Sequence, residues 1–210
     1  MATVSSAVGI CNLALDTLKQ ELVANIESPV SVEEGLCARW YDVTRRELLR
    51  SHPWSFARTR ATLLRSSTAP AFEYEDAYNL PTDFLRLMQI GDDVYEGEKE
   101  YTIEGKQILM NNSGDSLNIV YVKDVTSVSQ MDALFVDALV AELTVKLAPA
   151  LLGMKPATQS YLVAERERIL RQVRAINGQE NPVKVIHKSD LITARNRGFR
   201  RYDRYDKVVA

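Results

Sequence analysis

The side chains best suited to chemistry are few in this 210-residue chain, which has two histidines and two cysteines. Histidine is the commonest general base. His52 lies in His52-Pro53-Trp54 at the end of a helical pattern, where it reads as a capping or packing residue. His187 lies in a C-terminal stretch where nothing fixes an orienting partner. Cys11 and Cys37 fall in two separate helical patterns and are expected to be buried small hydrophobes. Two thiols make neither a disulfide scaffold nor a structural zinc site. Carboxylates cluster more densely. Glu73, Glu75, Asp76, Asp83, Asp92, Asp93, Glu96, Glu98 and Glu100 stand against only Arg86 and Lys99 between residues 73 and 100. A glycosidase needs two carboxylates across a cleft, one with a raised pKa. Such a pair could lie here, but spacing alone does not identify it. The reading preferred is a solvated acidic face, or one that meets basic residues of a neighbouring subunit. No nucleophile elbow, phosphate-binding glycine loop or zinc-protease motif occurs.

Charge is unevenly spread. The chain carries 26 Lys/Arg and 28 Asp/Glu. Residues 184–210 hold eight basic and three acidic side chains, net +5, which leaves 18 against 25, net −7, for residues 1–183. The basic end is rich in Arg and Tyr and lacks a sustained apolar period, so it reads as an extended or disordered arm. Its basic residues could neutralise phosphates. The alternation in Arg201-Tyr-Asp-Arg-Tyr-Asp206 looks more like protein recognition.

Periodicity gives the elements that must position these groups. Apolar steps of three and four predict a helix over residues 4–19. Ser31 and Glu34 form a capping box that opens a second helix over 32–51. Its stripe is read as Leu36, Trp40, Val43, Thr44 and Leu48, with Arg39, Asp42, Arg45, Arg46 and Arg50 largely outside. Pro53 ends it. Strand patterns follow from about Thr62, over 84–90, as a Gly105-turn hairpin of 101–103 and 107–109, and over 117–122. Ser129 is a weak cap for a very apolar helix over 133–152, with only Asp137, Glu142 and Lys146 charged. A fourth helix opens near Pro156. Its stripe is read as Tyr161, Leu162, Glu165, Ile169, Val173 and Ile176, with Arg166 outward and Gly178 as C-cap.

The fold class expected is therefore α+β. A bundle of about four helices (1–52 and 126–178) carries an inserted small antiparallel β subdomain (53–125) and an extended basic arm (179–210). The start lacks a basic n-region and no run of 18 apolar residues occurs, so neither a signal peptide nor a membrane span is expected. These features suggest a soluble protein made in a reducing cytoplasm.

Several stretches then align with one family. They are Ile10-Cys-Asn-Leu-Ala-Leu15, Trp40-Tyr-Asp-Val-Thr-Arg-Arg-Glu-Leu-Leu-Arg50, His52-Pro-Trp-Ser-Phe-Ala57, Tyr78-Asn-Leu-Pro-Thr-Asp83, Tyr101-Thr-Ile-Glu-Gly105 and Ile119-Val-Tyr-Val122. In order and spacing, from about residue 8 to 152, the chain resembles the tail tubular protein A family, the head-to-tail adaptors of short-tailed bacteriophages. The resemblance implies a helical bundle with a β insertion and a structural, non-enzymatic role without cofactor or metal. It implies a dodecameric ring between the portal protein and the tail nozzle or tube, in the virion neck, assembled in the host cytoplasm. DNA would pass through the lumen without sequence-specific binding, and no membrane would be involved. C-terminal arms of the family dock on the portal. By position and composition, Arg195, Arg197, Phe199, Arg200, Arg201, Tyr202, Arg204 and Tyr205 are the expected docking residues. Trp40, His52, Pro53, Trp54, Phe56, Leu80 and Pro81 are the expected structural core of the motif. The alternatives are a peptidoglycan hydrolase using the acids between Glu73 and Glu100, and a DNA-binding module using the arm.

Overall fold

Among the described residues, two helices, six strands and two further helices follow in that order, as expected apart from the second strand. The computed structural model describes residues 6–91, 101–111, 114–153 and 155–180. Helix α1 (Ala7–Leu18) is capped by Ser6, whose hydroxyl accepts from the Gly9 N–H at 3.1 Å. It closes with Lys19 in the left-handed region at φ 55°, where the Lys19 and Gln20 N–H groups donate to the Asp16 and Leu15 carbonyls. The connector that follows is pinned to α1 by one side chain. Asn12 donates to the Val23 carbonyl at 3.0 Å and accepts from the Val23 N–H at 2.8 Å, standing in for a strand neighbour.

Helix α2 (Val32–Ser51) opens on the expected capping box. Glu34 also accepts from the Val30 N–H at 2.7 Å, and these backbone donors hold its carboxyl below the usual range. The buried face of α2 is Cys37, Tyr41, Thr44, Arg45, Leu48 and Leu49. That is rotated by about one residue from the expected stripe. Val43 is 45 % exposed, and Arg45, expected outside, is only 2 % exposed. The rotation is set by what Arg45 meets inside, described below.

Strands β1 (Arg58–Leu64), β3 (Phe84–Ile90) and β6 (Ser116–Lys123) form sheet A in the order β1-β6-β3. Strands β2 (Asp76–Asn79), β4 (Tyr101–Glu104) and β5 (Gln107–Met110) form sheet B in the order β2-β5-β4. All pairings are antiparallel. The β4–β5 hairpin turns at Gly105, whose φ of 57° is easy only for glycine. β1 begins four residues before the expected Thr62, and β2 had no expected counterpart. β2 is four residues long and stops at Leu80-Pro81, too short to display an alternation. An isolated bridge between Arg65 and Tyr78 links the two sheets.

Helix α3 (Ala133–Leu152) is capped by Asp132, whose carboxylate accepts from the Leu134 N–H at 2.8 Å. Ser129, the expected cap, lies instead in a 3-10 turn over Val128–Gln130. Helix α4 (Pro156–Glu180) continues through Gly178 rather than ending there. Its buried residues are Leu162, Leu170, Val173 and Asn177, whereas Tyr161 is 68 % exposed. Arg166 is not simply outward: it approaches Glu142 of α3 at 3.5 Å.

Two apolar clusters result. The larger is built from all four helices together with Trp54, Leu85 and Val122, so one face of sheet A closes the bundle. The smaller lies around Leu63, Tyr78, Ile108, Met110, Leu117, Ile119 and Tyr121, between the strands of both sheets. Cys11 of α1 and Cys37 of α2 are both fully buried free thiols in the larger cluster, as expected. The neighbouring Cys37 thiol and burial push the Cys11 thiol well above its ordinary range. All described residues fall in one compact unit, Met1–Glu180.

Candidate functional site

The motif residues converge on the joint between the helices and sheet A. The proline after His52 forces His52 out of the helical region, at φ −143°, and α2 ends there. The chain then turns inward and buries Trp54 to 1 % exposure. The Trp54 indole N–H donates to the Leu48 carbonyl at 2.8 Å, one of the carbonyls left free by the end of α2. Its ring meets Phe135 of α3 edge-on, with centroids 5.1 Å apart and planes at 80°. Phe56 meets the same Phe135 at 5.0 Å, and His52 meets Trp54 at 4.9 Å. These are the tilted geometries that aromatic quadrupoles favour.

Asn177, on the last turns of α4, completes the joint. Its side-chain oxygen accepts from the Ser55 N–H at 3.0 Å and the Ser55 hydroxyl at 2.7 Å. Its amide nitrogen donates to the Pro53 carbonyl at 3.3 Å and lies 2.9 Å from His52 Nε2. An amide N–H can only donate, so this arrangement requires a neutral His52 with its proton on Nδ1. The electrostatics agree. Burial, and then the charges of Arg174 and Arg86, hold His52 below its ordinary pKa. His52 thus packs at the end of α2 against Trp54 and Asn177. Asn177 carries no signal in an apolar pattern; a polar residue four positions after Val173 on the buried stripe was the available clue.

A second clamp lies beside the first. The buried Arg45 guanidinium donates to Asp124 and, at 2.6 Å, to the Val125 carbonyl, and reaches Asp42 at 3.1 and 3.2 Å. Arg46 holds the other Asp124 oxygen at 3.2 Å. Arg50 donates to the Leu85 carbonyl at 3.0 Å. Three arginines of α2 therefore fasten the helix to the ends of β3 and β6. This explains why Arg45 turns inward: a buried charge is tolerated where a carboxylate and carbonyls meet it.

The other motif pieces also touch. The Tyr121 hydroxyl donates to Asp83 at 2.9 Å, so Tyr78-Asn-Leu-Pro-Thr-Asp83 meets Ile119-Val-Tyr-Val122. Burial and the Asp83 carboxylate push the Tyr121 phenol up to about 12. Phe84 stacks on Tyr121 at 5.7 Å. The Leu80 N–H donates to the Lys106 carbonyl at 2.8 Å, and the Phe84 N–H to the Pro81 carbonyl at 3.2 Å. Trp40 is half-buried on α2 with the Lys146 ammonium 5.2 Å above its ring.

Of the acids expected as a face, Glu73 and Glu75 are exposed. Asp76 is 4 % exposed and ion-paired with Arg65 at 3.1 Å. Asp92, Asp93, Glu96, Glu98 and Glu100 lie outside the described residues, as do His187 and the whole expected docking set from Arg195 to Tyr205. Among the described residues no group of three or more His, Cys, Asp or Glu is placed to hold a metal ion. No helix among them is long and apolar enough to cross a membrane. Comparison with protein-family models and with curated proteins finds no match for this chain.

Proposed function

We propose that this chain is the structural subunit of a head-to-tail adaptor ring in a short-tailed phage, joining portal to tail nozzle around the DNA channel in the virion neck. One observation carries the reading. Residues that match the adaptor motifs lock elements together: Trp54 and Phe56 tie the end of α2 to α3, and Leu80, Pro81 and Asp83 tie strands to one another. A motif whose residues lock elements together is one that a scaffold needs. The basic arm is the portal-docking element in this proposal, and it orders on binding at an entropic cost.

Truncation after Asn181 tests the arm. Both apolar clusters are made by residues between Ile10 and Val173, so the body is expected to keep its melting temperature. Binding to the purified portal is expected to disappear, and unchanged affinity would overturn the arm's role. Electron cryomicroscopy of a virion neck decides the wider reading: a neck without density for this chain rejects it.

A further inference from the structure

Sheet B ends in two unlike structures. At one end the chain enters β2 through Phe72-Glu-Tyr-Glu75. The Phe72 ring is 81 % exposed. Glu73 beside it holds φ at 72°, and the Tyr74 N–H donates to the Phe72 carbonyl at 2.9 Å across it. That left-handed conformation is strained for any residue with a Cβ. The turn is nevertheless firmly held. The Tyr74 hydroxyl is 2.8 Å from Thr102 Oγ1 of β4, and the Glu75 N–H donates to the Asn111 side chain at 2.9 Å. A fixed turn therefore keeps an aromatic ring in water with exposed carboxylates at Glu73 and Glu75.

At the other end, between α2, β3 and the β4–β5 hairpin, lies a cleft of about 690 Å³. Arg46, Arg50, Arg86 and Lys106 line it, and no lining residue is acidic. Leu80, Phe84 and Ile103 supply apolar surface, and Tyr101 also lines it. Arg46 is engaged by Asp124. Arg50 and Arg86 bond only backbone carbonyls, and neither they nor Lys106 form an ion pair among the described residues.

We propose that the Phe72–Glu75 turn of one copy seats in this cleft of a second copy, with Phe72 on the apolar surface and Glu73 and Glu75 against the cations. Three arguments select this occupant. The charges are opposite in sign. The turn presents an apolar ring that the cleft's apolar lining can cover, and Tyr, Phe and Arg are residues that anchor protein interfaces. The ring is 81 % exposed in its own chain, so its own cleft does not hold it. Turn and cleft are different surfaces, which makes the contact head-to-tail; such contacts close into rings or run on as filaments. The contact deepens the adaptor reading and relies on it only for ring closure.

Sedimentation velocity of the full chain at low salt tests it, with two double variants: Phe72→Ala/Glu73→Lys in the turn and Arg86→Glu/Lys106→Glu in the cleft. The wild type is expected to self-associate, at least tenfold more weakly when salt screens the charges. Each variant alone is expected to be monomeric. An equimolar mixture keeps one intact turn and one intact cleft, so it is expected to give a heterodimer and nothing larger. A monomeric wild type, a monomeric mixture or a variant that associates like wild type would overturn the proposal. All four positions are exposed, and melting curves check folding; Phe72→Ala alone repeats the test should charge reversal disturb it. Normal neck rings built from the turn variant would reject this contact and leave the adaptor reading standing. Necks without the chain would reject the adaptor reading while the sedimentation result still decides the contact.

Discussion

The joint at Trp54 and the two ends of sheet B use similar residue types to opposite effect. At the joint an aromatic ring is buried to 1 % exposure, an asparagine makes four polar contacts, and a histidine is held neutral. At the ends of sheet B an aromatic ring is 81 % exposed, cations line an open cleft, and a glutamate is held in a strained backbone conformation. The first arrangement satisfies its groups within the chain. In the second, Arg86 and Lys106 form no ion pair among the described residues. If the proposed contact holds, stability and association belong to separate parts of the molecule, and substitutions can separate them further.

The largest effect is expected from Trp54→Ala. It removes the ring packed on Phe135, Phe56 and His52 and one of the two side-chain donors to the Leu48 carbonyl, which should cost about 3–5 kcal/mol; urea unfolding measures it. Asn177→Ala should cost about 2 kcal/mol in the same measurement, because the Ser55 and Pro53 backbone groups lose a buried partner. Neither variant is expected to alter self-association under conditions where it remains folded. A smaller, pH-dependent effect comes from His52. Its folded pKa lies below its ordinary value, so the unfolded chain takes up a proton near pH 6.5 that the folded chain refuses until lower pH. The stability contribution is therefore full above about pH 6.5 and is lost as pH falls through the folded pKa. The difference in melting temperature between wild type and His52→Gln should shift between pH 7.5 and pH 5, and a constant difference would contradict the assignment. The smallest and most discriminating effect is that of Glu73→Gly. Relief of the left-handed strain should stabilise the fold by about 0.5–1 kcal/mol, while the missing carboxylate weakens association. A loss of both would merge the two regions again.

Much of this architecture is readable from apolar spacing, and its failures have one cause. The bounds of α2, α3 and β3 and the position of the β4–β5 turn follow from periodicity, caps and glycine, all local signals. The facing of α2 and α4 does not. Arg45 and Asn177 sit on buried faces because Asp124, Val125, Pro53 and Ser55 meet them from distant positions, and an apolar count discards such residues. Asp132, not Ser129, caps α3 because a 3-10 turn intervenes. The motif residues Trp54, Phe56, His52, Leu80 and Pro81 were marked by the resemblance; which elements each one touches required their contacts. The exposed turn at Phe72 gave no signal at all, since a lone Phe ahead of two acids is ordinary in sequence and unusual only once its exposure and the φ of Glu73 are known.

The buried pair Cys11 and Cys37 gives this molecule an internal clock. Thiolate, not thiol, reacts with alkylating reagents, and both sulfurs are shut inside the bundle where α1 meets α2. Labelling should therefore proceed only as fast as the two helices part. The alkylation rate of the native protein would then report the opening free energy of the α1–α2 layer alone, and a subunit locked into an assembly should label more slowly than a free one.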